Sequence, residues 1–268
     1  MDLRELAQEQ TSYRPWDSEY RYRNHPYPPI SAHRVRPKKV RHWSATESLW
    51  YHKSEDGKLT LNANQVSLYS GDTKQVTVND NATWSSKSEF VAEVSEDGII
   101  KGNHVGKTII TATSDNGEAL CEVVVNAKYS TYTEPVLEFG VDKATVKAKE
   151  KRTILEDKTS TLGYRGENSA VKSVAYLFEN GKLTSSAIAL SYSYTEEIAK
   201  FLSERYQVIG KDSDGAYYFI NNDSDKYNMG VRLSVESGFI MVVYVPQSPK
   251  SRSIQAADLQ KLKSILGI

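Results

Sequence analysis

Short apolar runs alternate with turn residues at close, even spacing throughout residues 59–126. The runs are too short for helices, and turn pairs such as Asp97-Gly98 and Asn116-Gly117 separate them. Strands bounded in this way at regular intervals are typical of a small antiparallel β-sandwich. We therefore predict an all-β domain over residues 59–127. Because such a sandwich brings no built-in chemistry, the pattern favours binding and assembly over catalysis.

The same segment carries a family resemblance. It contains Gly71-Asp72-Thr73, Trp84-Ser85-Ser86, Gly106-Lys107-Thr108 and Ile110-Thr111-Ala112, in that order. At these positions it resembles the bacterial immunoglobulin-like domain of group 2, over about a quarter of the chain. The resemblance implies an immunoglobulin-like sandwich of the kind found on bacterial surface proteins, adhesins and tailed-phage virion proteins. It implies no ligand.

Composition describes a polar chain without net charge. Its 268 residues leave room for about two domains, and 34 basic residues balance 34 acidic ones. The whole molecule therefore has no electrostatic reason to bind nucleic acid. Cys121 is the only cysteine, which excludes an intrachain disulfide. Because it lies in an apolar strand pattern, we expect a buried and unreactive thiol.

The N-terminus lacks the apolar core of a signal peptide, since three of residues 1–6 are charged. No stretch approaches the roughly 20 apolar residues that span a bilayer, so we predict no membrane segment. Two interpretations follow: the chain is never exported by a signal peptide, or a signal was removed. Met1 favours the first.

Residues 1–58 form a basic and aromatic segment that we call the arm. It holds five of the eight prolines, which disfavour a long helix, and no apolar periodicity supports a core. Tyrosine, tryptophan and arginine dominate interface hot spots, so we predict an extended arm that becomes ordered against neighbouring subunits. A solvated tail is one alternative; a minor nucleic-acid contact, with bases stacked on aromatic rings, is another. The predicted partner-binding residues are Arg14, Trp16, Tyr20, Arg21, Tyr22, Arg23, Tyr27, Arg34, Arg36, Arg41 and Trp43.

Residues 128–247 change to an α+β pattern. Strands are predicted at 135–139, 144–149 and 171–178, with a hairpin turn at Asn180-Gly181 and a return strand over 183–190. A helix over 194–206 follows, with Thr195 as N-cap. The remaining predicted strands cover 207–209, 217–220, 229–235 and 239–245. This order predicts one helix packed on an antiparallel sheet.

Residues 248–268 are predicted to contain a short amphipathic helix, over 253–268. Leu259, Leu262, Ile265 and Leu266 share one face. A terminal helix of about four turns is marginal alone, so we expect it to dock on its own domain or on a partner.

Catalytic and metal-binding patterns do not emerge from the sequence, and we predict no catalytic residue, metal or cofactor. His104 is the only histidine outside the arm, and we expect it to be a solvated loop residue. The acidic loops 212–215 and 221–225 suggest calcium. However, Tyr217 and Asp223 stand where an EF-hand loop that begins at Asp212 needs glycine and glutamate, so hairpin loops are expected. Phosphate-binding loops are absent.

These observations favour a non-enzymatic structural protein of a tailed-phage virion, an auxiliary capsid or neck component. Its partners would be other capsid or neck proteins in many copies, and its location the virion. The alternative is a cell-surface or periplasmic adhesin or glycan-binding protein whose signal peptide was removed. A third hypothesis, an enzyme with its site in the C-terminal domain, has no motif to support it.

Overall fold

A computed structural model describes residues 57–223, 225–247 and 255–268. Almost all of the predicted arm, and therefore every predicted partner-binding residue, lies outside the described residues. The described residues of Lys58–Ile268 belong to one compact unit. They are mostly β-structure, with fifteen strands and three α-helices. Each of these helices is too short or too polar to pass through a lipid bilayer.

The first seven strands form a sandwich of two sheets. One sheet has the order β1-β7-β6-β3 and the other β2-β5-β4, and β1 runs parallel to β7. Alternate side chains point inward, among them Val66 and Leu68 of β1 and Cys121, Val123 and Val125 of β7. The predicted β-sandwich and the buried Cys121 are therefore confirmed. The strands are β1 Gln65–Tyr69, β2 Thr73–Gln75, β3 Thr83–Ser86, β4 Ala92–Val94, β5 Ile99–Gly102, β6 Gly106–Ser114 and β7 Gly117–Asn126.

Gly98 shows why a glycine is needed in the turn before β5. Its φ is +76°, a conformation that other residues adopt at a cost. A Cβ at this position would lie 2.4 Å from the Val76 carbonyl oxygen and 2.8 Å from the Trp84 ring. Both the backbone conformation and the close packing of Trp84 thus depend on this glycine.

The other eight strands form one antiparallel sheet, which we call the large sheet. Its order is β12-β13-β14-β15-β11-β10-β9-β8. The strands are β8 Ile154–Lys158, β9 Thr161–Arg165, β10 Val171–Glu179, β11 Lys182–Ser191, β12 Gln207–Lys211, β13 Tyr217–Ile220, β14 Met229–Glu236 and β15 Phe239–Pro246. The helices are α1 Lys143–Lys149, α2 Thr195–Ser203 and α3 Ala256–Leu266.

The large sheet consists of two similar halves. In each half a helix precedes four strands that pair in succession, and the last strands, β11 and β15, pair at the centre. Each half also closes with a two-residue hairpin at positive φ, Asn180 and Gly181 in one and Ser237 and Gly238 in the other. Such turns match the twist of paired strands. The predicted hairpin at Asn180-Gly181 is confirmed.

Both faces of the large sheet are covered. Tyr176, Ile188 and Val242 pack on the face that carries α1 and α2. On the opposite face, α3 packs its leucines against small and aliphatic residues such as Ala175 and Met241. The terminal helix thus docks on its own sheet, which settles the two alternatives left open by its sequence.

Three sequence predictions for residues 128–247 are wrong. Residues 144–149 are helical because the Asp142 side chain accepts hydrogen bonds from both the backbone and the hydroxyl of Thr145, which caps α1. Residues 135–139 lie outside regular structure. Helix α2 begins at Thr195, so its N-cap is Tyr194, and it ends at Ser203. In addition, β8 and β9 were not predicted.

Candidate functional site at the junction of the two sheet systems

Residues 128–141 connect the sandwich to the large sheet, and we call them the strap. The strap packs against the α1–α2 face without regular structure, so its backbone groups need other partners. Glu204 supplies two: Lys128 N donates to Oε2 at 2.8 Å and Tyr129 N donates to Oε1 at 3.1 Å. The guanidinium of Arg205 donates to the Tyr129 carbonyl at 3.1 Å.

The middle of the strap is fixed in the same way. Thr133 N donates to the Glu167 carboxylate at 2.8 Å, and the Arg152 guanidinium donates to the Thr133 carbonyl. Val136 N donates to the Tyr176 hydroxyl at 3.0 Å. Side chains from other elements thus replace the backbone partners that a strand would have had.

Two glutamates at helix ends organise these contacts. Glu204 is the C-cap of α2 and Glu150 the C-cap of α1, and each side chain is only 4% exposed. Each is paired with an arginine, Glu204 with Arg205 and Glu150 with Arg152. Removing one member of such a buried pair leaves an uncompensated charge, so both pairs are expected to be structurally important.

A loop of the sandwich contacts the end of α2. Val105 N donates to the Glu204 carbonyl oxygen at 2.7 Å. The neighbouring His104 ring stacks on Phe90 with centroids 4.0 Å apart, and its Nδ1 lies 2.7 Å from the Phe90 carbonyl oxygen. Burial lowers the pKa of His104, while the hydrogen bond to Phe90 and the charge of Asp223 oppose that shift. His104 is therefore a half-buried junction residue, and the prediction of a solvated loop residue is wrong.

A cleft of about 610 Å³ opens at this junction. Residues from the sandwich form one side, and the strap, the end of α2 and the β13–β14 loop form the other. The lining residues are Ser88, Phe90, Val91, Val105, Glu134, Leu137, Phe139, Arg205, Tyr206, Asn221, Asn222, Asn228, Met229 and Pro246.

Glu134 is the carboxyl group of the cleft. The Tyr206 hydroxyl donates to its Oε1 at 2.5 Å, and the hydroxyls of Tyr132 and Tyr244 lie 2.8 Å apart in the same cluster. Burial raises the pKa of Glu134, opposed by the Tyr206 hydrogen bond and the charge of Arg205. The carboxyl is therefore held in place by a tyrosine and ionises less readily than a solvated one.

Three asparagines form the polar wall. Asn221 Oδ1 accepts from Asn228 N at 3.2 Å and from Met229 N at 3.1 Å, and its Nδ2 donates to Asn228 Oδ1 at 2.7 Å. These bonds fix the ends of the β13–β14 loop. Among the described residues, the side-chain Nδ2 groups of Asn222 and Asn228 have no hydrogen-bond acceptor, so two amide donors are available at the cleft.

Comparison with known proteins identifies the family of the sandwich domain. Residues 58–125 match the family model of the bacterial Ig-like domain (group 2). The resemblance predicted from Trp84-Ser85-Ser86 and its neighbours is confirmed, and we call the sandwich the Ig-like domain from here on. No curated protein sequence matches the chain significantly.

One solved structure that matches comprises domains 5–6 of the S-layer protein SbsC. The match has 13% sequence identity and covers 72% of this chain and 85% of that chain, with a TM-score of 0.22. A TM-score this low means that the two chains do not superpose as wholes, so the match supports no argument about this protein.

The sequence did not predict the junction cleft, but it did predict the two acidic hairpin loops of the large sheet. The loop 212–215 connects β12 to β13, and the loop 221–225 connects β13 to β14, as expected of hairpin loops. Only the second loop reaches the cleft. Within the residues that the structure describes, no group of acidic, histidine or cysteine side chains is arranged to hold a metal ion. The adjacent asparagines Asn221 and Asn222 were the one signal that could have indicated a polar wall.

Proposed function

We propose that this chain is a non-enzymatic structural protein of a tailed-phage virion, an auxiliary capsid or neck component anchored by its N-terminal arm. The observation that supports a structural role best is the junction. The Ig-like domain contacts the end of α2 directly, where Val105 N donates to the Glu204 carbonyl oxygen, and the buried Glu204 carboxylate binds the start of the strap that follows the domain. A fixed attachment of this kind suits a structural protein, because it keeps the Ig-like domain at a constant distance from the large sheet.

The proposed organisation has four parts: the arm over 1–58, the Ig-like domain over 59–127, an α+β domain over 128–247 and the terminal helix within 248–268. Packing of α1 and α2 on one face of the antiparallel large sheet supports an α+β domain. Docking of α3 on the opposite face supports a C-terminal piece that completes this domain.

The proposed partners are neighbouring capsid or neck proteins in many copies, reached through the arm. The arm is a basic and aromatic segment, with 11 basic and 8 acidic residues in a chain that is neutral as a whole, and those residue types anchor interfaces. The Ig-like domain supports the proposal because, by the family resemblance, such domains occur on virion proteins. They also occur on bacterial surface proteins and adhesins, which keeps the cell-surface alternative in place.

The two proposals predict different locations for the chain, the phage particle or the cell envelope. Fractionation of cells and lysate from the source organism distinguishes them. An antibody against the full chain should label purified phage particles in immunogold electron microscopy. A variant lacking residues 1–45 should fold, as judged by circular dichroism, yet be missing from the particles. The proposal is wrong if the chain is found in the cell envelope and never in particles, or if the shortened variant is incorporated as well as the full chain.

A further inference from the structure

We propose that the cleft at the junction binds a neutral saccharide. This inference goes beyond the structural role proposed above and stands independently of it, because it rests on the described residues alone. A cleft of about 610 Å³ falls within the roughly 300–1,000 Å³ typical of small-ligand sites.

The walls of the cleft combine apolar faces with polar groups. Phe90, Val91, Leu137 and Phe139 line the cleft with carbon surface, joined by Met229 at the start of β14. The C–H faces of a sugar ring pack against surfaces of this kind, while its hydroxyls need polar partners at the rim. Sites for small ligands have this composition, mostly apolar with a few fixed polar groups.

The polar groups are the kinds that recognise hydroxyls. Asn222 and Asn228 each present a side-chain amide donor with no acceptor among the described residues. Glu134 supplies carboxyl oxygens that can accept from a hydroxyl, because a carboxyl offers more lone pairs than the Tyr206 hydroxyl uses. A sugar hydroxyl both donates and accepts, so it can satisfy an amide and a carboxyl together.

Charge favours a neutral ligand over an anion. Arg205 is the only basic residue in the lining, and its guanidinium is already paired with Glu204 and bound to the carbonyls of Phe201 and Tyr129. Glu134 would repel a phosphate or sulfate whenever it is ionised. An anion would therefore meet no free cation at the described surface of the cleft.

On the side of the large sheet, the cleft offers no free strand edge to an extended peptide. Peptides that add to a sheet need an unpaired strand edge. The cleft-lining residues of the large sheet, Met229 and Pro246, lie on β14 and β15, which are paired on both sides. Asn221 holds the β13–β14 loop in place through three hydrogen bonds, so the amide wall is formed before a ligand arrives.

Saturation-transfer NMR on the full chain tests the proposal. The probes are glucose, galactose, mannose, N-acetylglucosamine and the disaccharides of each, with sulfate and an unstructured peptide as competitors. At least one sugar should receive saturation from the protein. Asn222→Ala, which removes a side-chain donor at the cleft and leaves the three Asn221 hydrogen bonds in place, should weaken that sugar's Kd about tenfold, the loss expected for one hydrogen bond of roughly 1.4 kcal/mol.

The matched control is Asn116→Ala. The Asn116 side chain likewise makes one hydrogen bond to another residue, here as donor to Asp80, but it lies in the β6–β7 turn of the Ig-like domain, outside the cleft. The Asn116→Ala variant should bind the sugar with the same Kd as the unaltered chain. Ser88→Phe, which places a ring in the cleft, should abolish binding while the melting temperature stays close to that of the unaltered chain. The proposal is overturned if no sugar in the panel receives saturation, if both asparagine variants bind equally, or if sulfate or the peptide displaces the sugar.

Discussion

Glu204 shows how one side chain can join two parts of a protein. Its carboxylate accepts from two strap N–H groups and pairs with Arg205, and its backbone carbonyl accepts from Val105 of the Ig-like domain. A carboxylate can serve so many donors because each oxygen carries two lone pairs. The same residue therefore ends α2, fixes the strap and receives the Ig-like loop.

Glu204→Ala should lower the free energy of unfolding by about 3 kcal/mol, because it leaves the Arg205 charge and two backbone N–H groups without their partner. Urea denaturation measures this change. Glu122→Ala is the control, since Glu122 forms an exposed pair with Lys107 and its removal should change little. Equal stability of the two variants would contradict the role assigned to Glu204.

Glu134 should make stability depend on pH in a defined direction. Burial raises the folded-state pKa of this carboxyl above the ordinary value of 4.5. The folded state therefore holds a proton that the unfolded state releases, and the stability that this proton contributes is present below pH 4.5 and lost as the pH rises through the folded pKa.

Glu134→Gln keeps the shape and an oxygen that accepts from Tyr206, but it cannot ionise. The difference in unfolding free energy, unaltered chain minus variant, should fall as the pH rises from 4.5 to 7. A difference that stays constant or rises over this pH interval would contradict a raised folded-state pKa for Glu134.

At the scale of elements, the sequence predicted best where local chemistry decides the structure. The β10–β11 hairpin follows from Asn180 and Gly181, which adopt the positive φ values that its turn requires. Helix α3 follows from its apolar spacing, and its docked face contains the predicted leucines. Helix α1 contradicts the strand predicted over 144–149, because the Asp142 cap stabilises a helix that the two-residue alternation of this stretch does not indicate.

Leu262→Ala should test the docking of α3. Leu262 is fully buried against the large sheet, and deleting a buried leucine costs about 3 kcal/mol through lost contacts and the cavity left behind. Leu155→Ala is the matched control, because Leu155 on edge strand β8 is 56% exposed. Thermal unfolding should separate the two variants clearly, and equal melting temperatures would mean that α3 does not pack as described.

At the scale of the whole molecule, the junction and its cleft were beyond the reach of the sequence. The lining residues come from positions between 88 and 246, and they meet only because the Ig-like loops, the strap and the β13–β14 loop pack together. Periodicity identifies which side of an element is apolar, but it does not say which distant loop will cover it. The strand predicted over 135–139 of the strap is absent, because side chains on other elements serve the strap's backbone groups.

The Ig-like domain and the large sheet form one body. Pulsed electron paramagnetic resonance can test this arrangement, with spin labels on cysteines placed at Glu118 in the β6–β7 hairpin and Lys182 in the β10–β11 hairpin. Both positions are exposed, and Cys121→Ala removes the native thiol. We expect a single narrow distance distribution between the labels. A broad distribution, as given by two domains on a flexible linker, would contradict this arrangement.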